Sequence, residues 1–125
     1  MIGTWEIEVM ERNRATGALL KTLRAVNTFT LGGELIELGG RGPSCLTSPG
    51  MGTWRHVGGR QFVAILRFIR YEQDGSVAEL HKITRHLELS EDGREFTGTA
   101  SVELLDTDRG LVLAQCATES ARRFE

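Results

Sequence analysis

Apolar and polar residues alternate along most of this chain with a period of two, the signature of strands that bury one face. In residues 4–10, Trp5, Ile7 and Val9 fall on one side and Glu6, Glu8 and Met10 on the other. Residues 11–17 form a polar turn. Residues 18–30 carry two signals. Leu19, Leu20, Leu23 and Val26 fit a helical stripe, but Val26-Asn27-Thr28-Phe29-Thr30 is strand-like and no cap frames a helix, so a second strand is predicted. Gly32-Gly33 predicts a hairpin into a short strand at 34–38. Residues 39–50 contain both prolines and Cys45 and predict a long irregular loop, either a lid over an opening or a crossover. A strand at 52–57 follows, with Trp54 and His56 on one face, and Gly58-Gly59-Arg60 turns out of it.

Three long runs come next: Gln61–Glu72, Val77–Leu89 and residues 94–105. They are separated by the near-matched turns Gln73-Asp74-Gly75-Ser76 and Ser90-Glu91-Asp92-Gly93. Residues 106–110 turn again into a last strand at 111–122; its end, 117–125, also fits a short helical turn, but strand is the preferred reading. The sum is eight strands joined mostly by short turns. An antiparallel sheet of that size must deal with its edges, and closure into an up-and-down barrel removes them. Runs of about 12 residues would span ~40 Å, which suits tilted barrel strands better than a thin sandwich. The fold class predicted is all-β, an eight-stranded antiparallel up-and-down barrel with little or no helix, as one domain over residues 1–125.

The phase of each run decides what lies inside. In Val77–Leu89 the odd positions are more apolar, which places Glu79, His81 and Arg85 in the interior. Ionisable groups there need partners or a use. Glu79 and Arg85 stand six residues apart on one strand, so neighbouring strands must supply partners, with Glu103 and Glu119 as candidates. In 94–105 the inward face is read as Phe96, Gly98, Ala100, Val102 and Leu104, where the small residues would leave room for a ligand. Gln61–Glu72 is apolar on both faces: Phe62, Ala64, Leu66 and Phe68 on one, Val63, Ile65, Ile69 and Tyr71, interrupted by Arg67, on the other. The surplus predicts a covered outer side, most simply a homodimer through this strand.

Composition narrows the function. Among 125 residues the net charge of −2 offers no basic excess for nucleic acid, and no run approaches the ~20 apolar residues of a membrane span. Fifteen glycines against two prolines fit many turns rather than disorder. The two cysteines, Cys45 and Cys116, fit no metal spacing, and no signal peptide opens the chain, so a cytoplasmic location with free thiols is expected. Nothing nearby in sequence would activate Cys45. No nucleophile elbow, phosphate loop, zinc-protease helix or dinucleotide fingerprint occurs, so no cofactor is expected. His81 and His86 face opposite sides of their strand, which argues against a metal site with His56.

Gly3-Thr4-Trp5 resembles the G-x-W with which lipocalins and other calycins open their barrels. The stretches Ser48-Pro49-Gly50-Met51-Gly52-Thr53-Trp54, Gly59-Arg60-Gln61-Phe62, Leu89-Ser90-Glu91-Asp92-Gly93 and Phe96-Thr97-Gly98-Thr99 are similar to those of short, uncharacterised bacterial lipocalin-like domains. The resemblance covers most of the chain and implies a Trp5 plug at a closed end and a small, mostly apolar ligand. The chain departs from classical lipocalins in lacking a C-terminal helix and a visible signal peptide, which points away from extracellular transport. The resemblance supplies no catalytic residues.

The function expected is therefore binding of a small hydrophobic or amphipathic molecule in the barrel interior. Trp54, His56, Phe62, Leu66, Phe68, Glu79, Phe96 and Val102 would line the site, with His81 and Arg85 as polar anchors. On the same scaffold, an isomerase, cyclase or lyase would use His81 and Arg85 for proton transfer or charge stabilisation. Alternatively both residues are satisfied by neighbours, or face solvent if the phase is inverted. A dimeric structural module with a filled barrel is the third reading.

Overall fold

The computed structural model describes residues 1–39, 46–106, 108 and 110–124, without the side chains of 112–114. Eight strands, β1 (Gly3–Arg12), β2 (Leu19–Phe29), β3 (Glu34–Leu38), β4 (Gly50–Gly58), β5 (Gln61–Tyr71), β6 (Val77–Leu89), β7 (Glu95–Leu105) and β8 (Leu111–Arg123), close into a barrel in chain order. Every neighbouring pair is antiparallel, and β1 pairs with β8 to complete the ring. The predicted up-and-down barrel is thus the observed architecture. Leu19–Phe29 form a strand because their partners on β1 and β3 bury the alternate positions Ala25, Asn27 and Phe29, which a helical stripe could not present. Among the described residues no helix is long and apolar enough to cross a membrane.

The matched turns of the central meander work in the same way. Gly75 and Gly93 adopt φ of 88° and 72°, where a side chain would be strained, and each donates its N–H to a carbonyl three residues back. Asp74 and Asp92 accept the N–H two residues on, of Ser76 and Arg94 respectively. These contacts set the register of β5, β6 and β7, and with it the phase. The odd side of β6 faces inward: Ile83, Arg85 and Leu87 are buried, whereas His86 and Glu88 are exposed.

One end of the barrel is sealed. The turns 30–33, 58–60 and 90–93 and both chain ends gather there around Trp5, which is wholly buried. Its indole N–H donates to the Met1 carbonyl at 2.9 Å, Phe96 packs at 4.9 Å between ring centroids, and the Arg123 guanidinium lies 4.3 Å from the indole. Phe29, Trp54 and Phe62 continue this aromatic layer through ring contacts of about 6 Å. Such edge-on contacts add to a hydrophobic burial that is already large for these side chains.

A polar layer crosses the barrel above the aromatics. Arg85 on β6 donates through Nε to both carboxylate oxygens of Glu119 at 3.1 Å, and through Nη2 to Glu119 Oε1. Its Nη1 donates to Asn27 Oδ1 at 2.5 Å; Asn27 Nδ2 in turn donates to Glu37 at 2.9 Å. All four side chains are buried. Glu119 reaches Arg85 diagonally across β7, over the small inward residues Gly98, which lies between Glu119 and Leu87, and Ala100, which is opposite Arg85. A Cβ on Gly98 would lie 2.7 Å from Leu87 Cδ2 and 3.3 Å from Glu119 Cγ. The space that the small residues of β7 were expected to leave for a ligand is at this height occupied by Glu119 and Leu87.

Candidate functional site

The opposite end of the barrel holds the remaining inward-facing ionisable groups. Glu79 on β6 accepts a hydrogen bond from Arg70 Nε at 2.7 Å, and His81 Nε2 lies 3.0 Å from the same carboxylate oxygen. Register puts Arg70 directly opposite Glu79 and Phe68 opposite His81. The Phe68 and His81 rings stack with centroids 4.3 Å apart and planes at 25°. The hydrogen bond from Arg70 holds the Glu79 carboxyl below the ordinary glutamate range, with a smaller part from His81. Glu79 therefore stays ionised at neutral pH. A carboxylate fixed to one imidazole nitrogen orients the ring.

Beside this trio lies a cleft of about 480 Å³, lined by Ser48, Pro49, Met51, Arg67, Phe68, Ile69, Leu80, His81, Lys82 and Leu105. Its volume falls within the range typical of small-molecule sites. Ser48 builds one wall by docking on β5: its N–H donates to the Ile69 carbonyl at 2.9 Å, and its Oγ accepts the Ile69 N–H at 2.8 Å. Thr47 pairs with Arg70 in an isolated bridge just above. The apolar part comes from outward positions of β5, β6 and β7, namely Ile69, Leu80 and Leu105, which stand side by side across the sheet. The cleft thus wraps around the barrel rim, with His81 and Phe68 on its inner side. Other hollows, of about 540 and 730 Å³, lie around His86, Thr97 and Thr118 and around Arg94 and Arg122, away from the trio.

The residues expected to share one site separate into three groups. Phe68, Glu79 and His81 meet at the end opposite Trp5, and Phe68 and His81 border the cleft. Leu66 and Val102 are buried in the middle of the barrel with Arg85, whose guanidinium is engaged by Glu119 and Asn27. Trp54, His56, Phe62 and Phe96 lie at the sealed end rather than near the mouth. Trp54 Nε1 donates to the Thr30 carbonyl at 3.0 Å, and His56 Nε2 lies 2.6 Å from the Gly59 carbonyl, both in the turns that close that end. The reason is register: Trp54 and His56 sit across from Ala64 and Phe62, at the sealed end of β5.

Of the two expected carboxylate partners, Glu119 pairs with Arg85. Glu103 lies on the other phase of β7, opposite Lys82, and cannot reach the interior. Glu79 pairs instead with Arg70, which sequence reading had not singled out. Asn27 and Glu37 were also missed, although each is a polar residue in the inward phase of its strand, next to Phe29 and Leu35. Burial works against the Arg85 charge, but the Glu119 carboxylate outweighs it and holds the guanidinium above its ordinary value. Cys45 lies outside the described residues, and Cys116 donates to the Arg12 carbonyl at 3.4 Å. Among the described residues no three His, Cys, Asp or Glu side chains converge as metal ligands. Compared with known proteins, the chain matches no family model and no curated protein.

Proposed function

We propose that this is a lipocalin-like (calycin) barrel that binds a small hydrophobic or amphipathic molecule at its open end, in the cleft beside Phe68 and His81. The closed eight-strand order and the Trp5 plug behind Gly3 support the family reading. The observation that carries the binding reading is asymmetry. One end of the barrel is sealed by Trp5, whereas the other combines apolar walls with a few oriented polar groups, the usual composition of a ligand site. Arg85 belongs to the scaffold in this reading, and His81 is the polar anchor. The test is displacement of the fluorescent probe anilinonaphthalene sulfonate by apolar compounds in the wild type and in Leu80→Glu. Binding that is saturable and at least about tenfold weaker in the variant is expected. Equal, unsaturable binding to both would refute it.

The Glu79–His81 contact favours a second reading, an isomerase, cyclase or lyase in which His81 moves a proton and Glu79 orients it. His81→Ala would then abolish turnover and leave ligand affinity nearly intact. As to partners, the proposal is a homodimer through the outer side of β5. Val63 and Ile65, on the part of β5 that does not line the cleft, are half-buried within one chain and would make the contact. Light scattering at micromolar concentration should return twice the chain mass of 13.8 kDa. A single-chain mass would overturn it.

A further inference from the structure

Arg67 and Lys82 stand directly opposite one another across β5 and β6, on the outer face of the barrel. Like charges at opposed positions of an antiparallel pair lie about 5 Å apart at Cβ and destabilise the sheet. Neither side chain makes an ion pair with a described residue. Glu103 follows Lys82 in the same cross-strand row, on β7, and offsets part of the Lys82 charge, whereas on the other side Arg67 faces only the uncharged Met51 on β4. Both cations border the apolar cleft.

We propose that the cleft is built for an amphipathic anion. One carboxylate, sulfate or phosphate head sits between Arg67 and Lys82, and an apolar body lies over Ile69, Leu80 and Leu105 toward His81. The inference rests on the reading of this cleft as the ligand site and adds the charge and orientation of the ligand. The guanidinium offers a two-toothed grip on an oxyanion and the ammonium a compact charge. Binding of one anion turns a repulsive cross-strand pair into two attractive contacts. The same geometry predicts opposite effects on stability and affinity: Arg67→Gln removes the repulsion in the free protein while removing half of the head-group site.

The experiment is calorimetric titration of the whole chain with four probes: decanoate, decanol, decyltrimethylammonium and acetate. Decanoate should bind at least about tenfold more tightly than decanol, and the ammonium and acetate should not bind measurably. Arg67→Gln and Lys82→Gln should each weaken decanoate about tenfold and leave decanol unchanged, and Arg67→Gln should raise the Tm of the free protein. Decanoate affinity should also fall with added salt while that of decanol does not, a readout that needs no variant. Equal affinity for decanoate and decanol, unmoved by the variants, would overturn the anion inference and leave the ligand site standing. Failure of every amphiphile to bind would remove the site itself. Phosphatidylglycerol vesicles that bind where phosphatidylcholine vesicles do not, with loss in both variants, would support the same head-and-tail chemistry with a lipid surface as its source. Variants that turn a dimer into a monomer without changing decanoate affinity would overturn the inference and assign the two cations to a contact with a second copy.

Discussion

Arg85→Leu is expected to cost more stability than Glu119→Leu, although the two residues form one ion pair. Removing a single member of a buried pair costs about 3–5 kcal/mol, because the other charge is left in a dry interior. The two losses differ in what remains. Without Glu119, Arg85 keeps Asn27 at 2.5 Å and has Glu37 at 4.0 Å, so its charge is still partly met. Without Arg85, the Glu119 carboxylate faces the interior with its charged partner among the described residues gone, and Glu37 keeps the amide of Asn27. Against a total stability of about 5–15 kcal/mol, Arg85→Leu leaves little. The double change Arg85→Leu with Glu119→Leu should be more stable than Arg85→Leu alone, since it removes the stranded carboxylate. Urea unfolding followed by circular dichroism reads all three. Additive losses in the double variant would contradict the network.

The second large effect is expected at Trp5. Trp5→Ala deletes a fully buried side chain that contacts Phe96, Arg123 and the Met1 carbonyl, and the neighbouring rings of Phe29, Trp54 and Phe96 are held by their own contacts and fill the space only in part. The cost should be about 3–5 kcal/mol, or a fall in Tm of roughly 10–20 °C. Trp5→Phe keeps most of the plug, loses the bond to Met1 and should cost under about 2 kcal/mol. Ligand binding at the far end should survive both substitutions below the melting transition. Loss of binding in folded Trp5→Phe would show that the two ends are coupled.

The barrel was legible because alternation is a local property that each strand carries by itself. The turns Gln73–Ser76 and Ser90–Gly93 identify the central meander through residues whose backbone preferences are nearly independent of the rest of the fold. The inward phase of β6 was legible for the same reason, since Ile83 and Leu87 flank Arg85. Height along the barrel was not. Whether an inward residue lies at the sealed or the open end follows from register between strands far apart in sequence, and single-strand patterns do not encode it. That is why Trp54, His56, Phe62 and Phe96 were grouped with Phe68 and His81, although register sends them to opposite ends. The cleft was harder still. It joins Ser48 and Pro49 to the outer faces of three strands, and an outward Leu80 or Leu105 reads as surface until its neighbours are known. Arg67 and Lys82 lie fifteen positions apart in a chain rich in charge, and only pairing makes them a site.

The central claim is that the open-end cleft, and not the sealed aromatic end, receives the ligand. Amide chemical shifts recorded while the protein is titrated with decanoate test it most directly. The account predicts that the largest changes fall on Ser48, Met51, Phe68, Ile69, Leu80, His81 and Leu105, with Trp5, Trp54 and Phe62 unmoved. Changes centred on Trp54 and Phe62, or none at saturating decanoate, would contradict it.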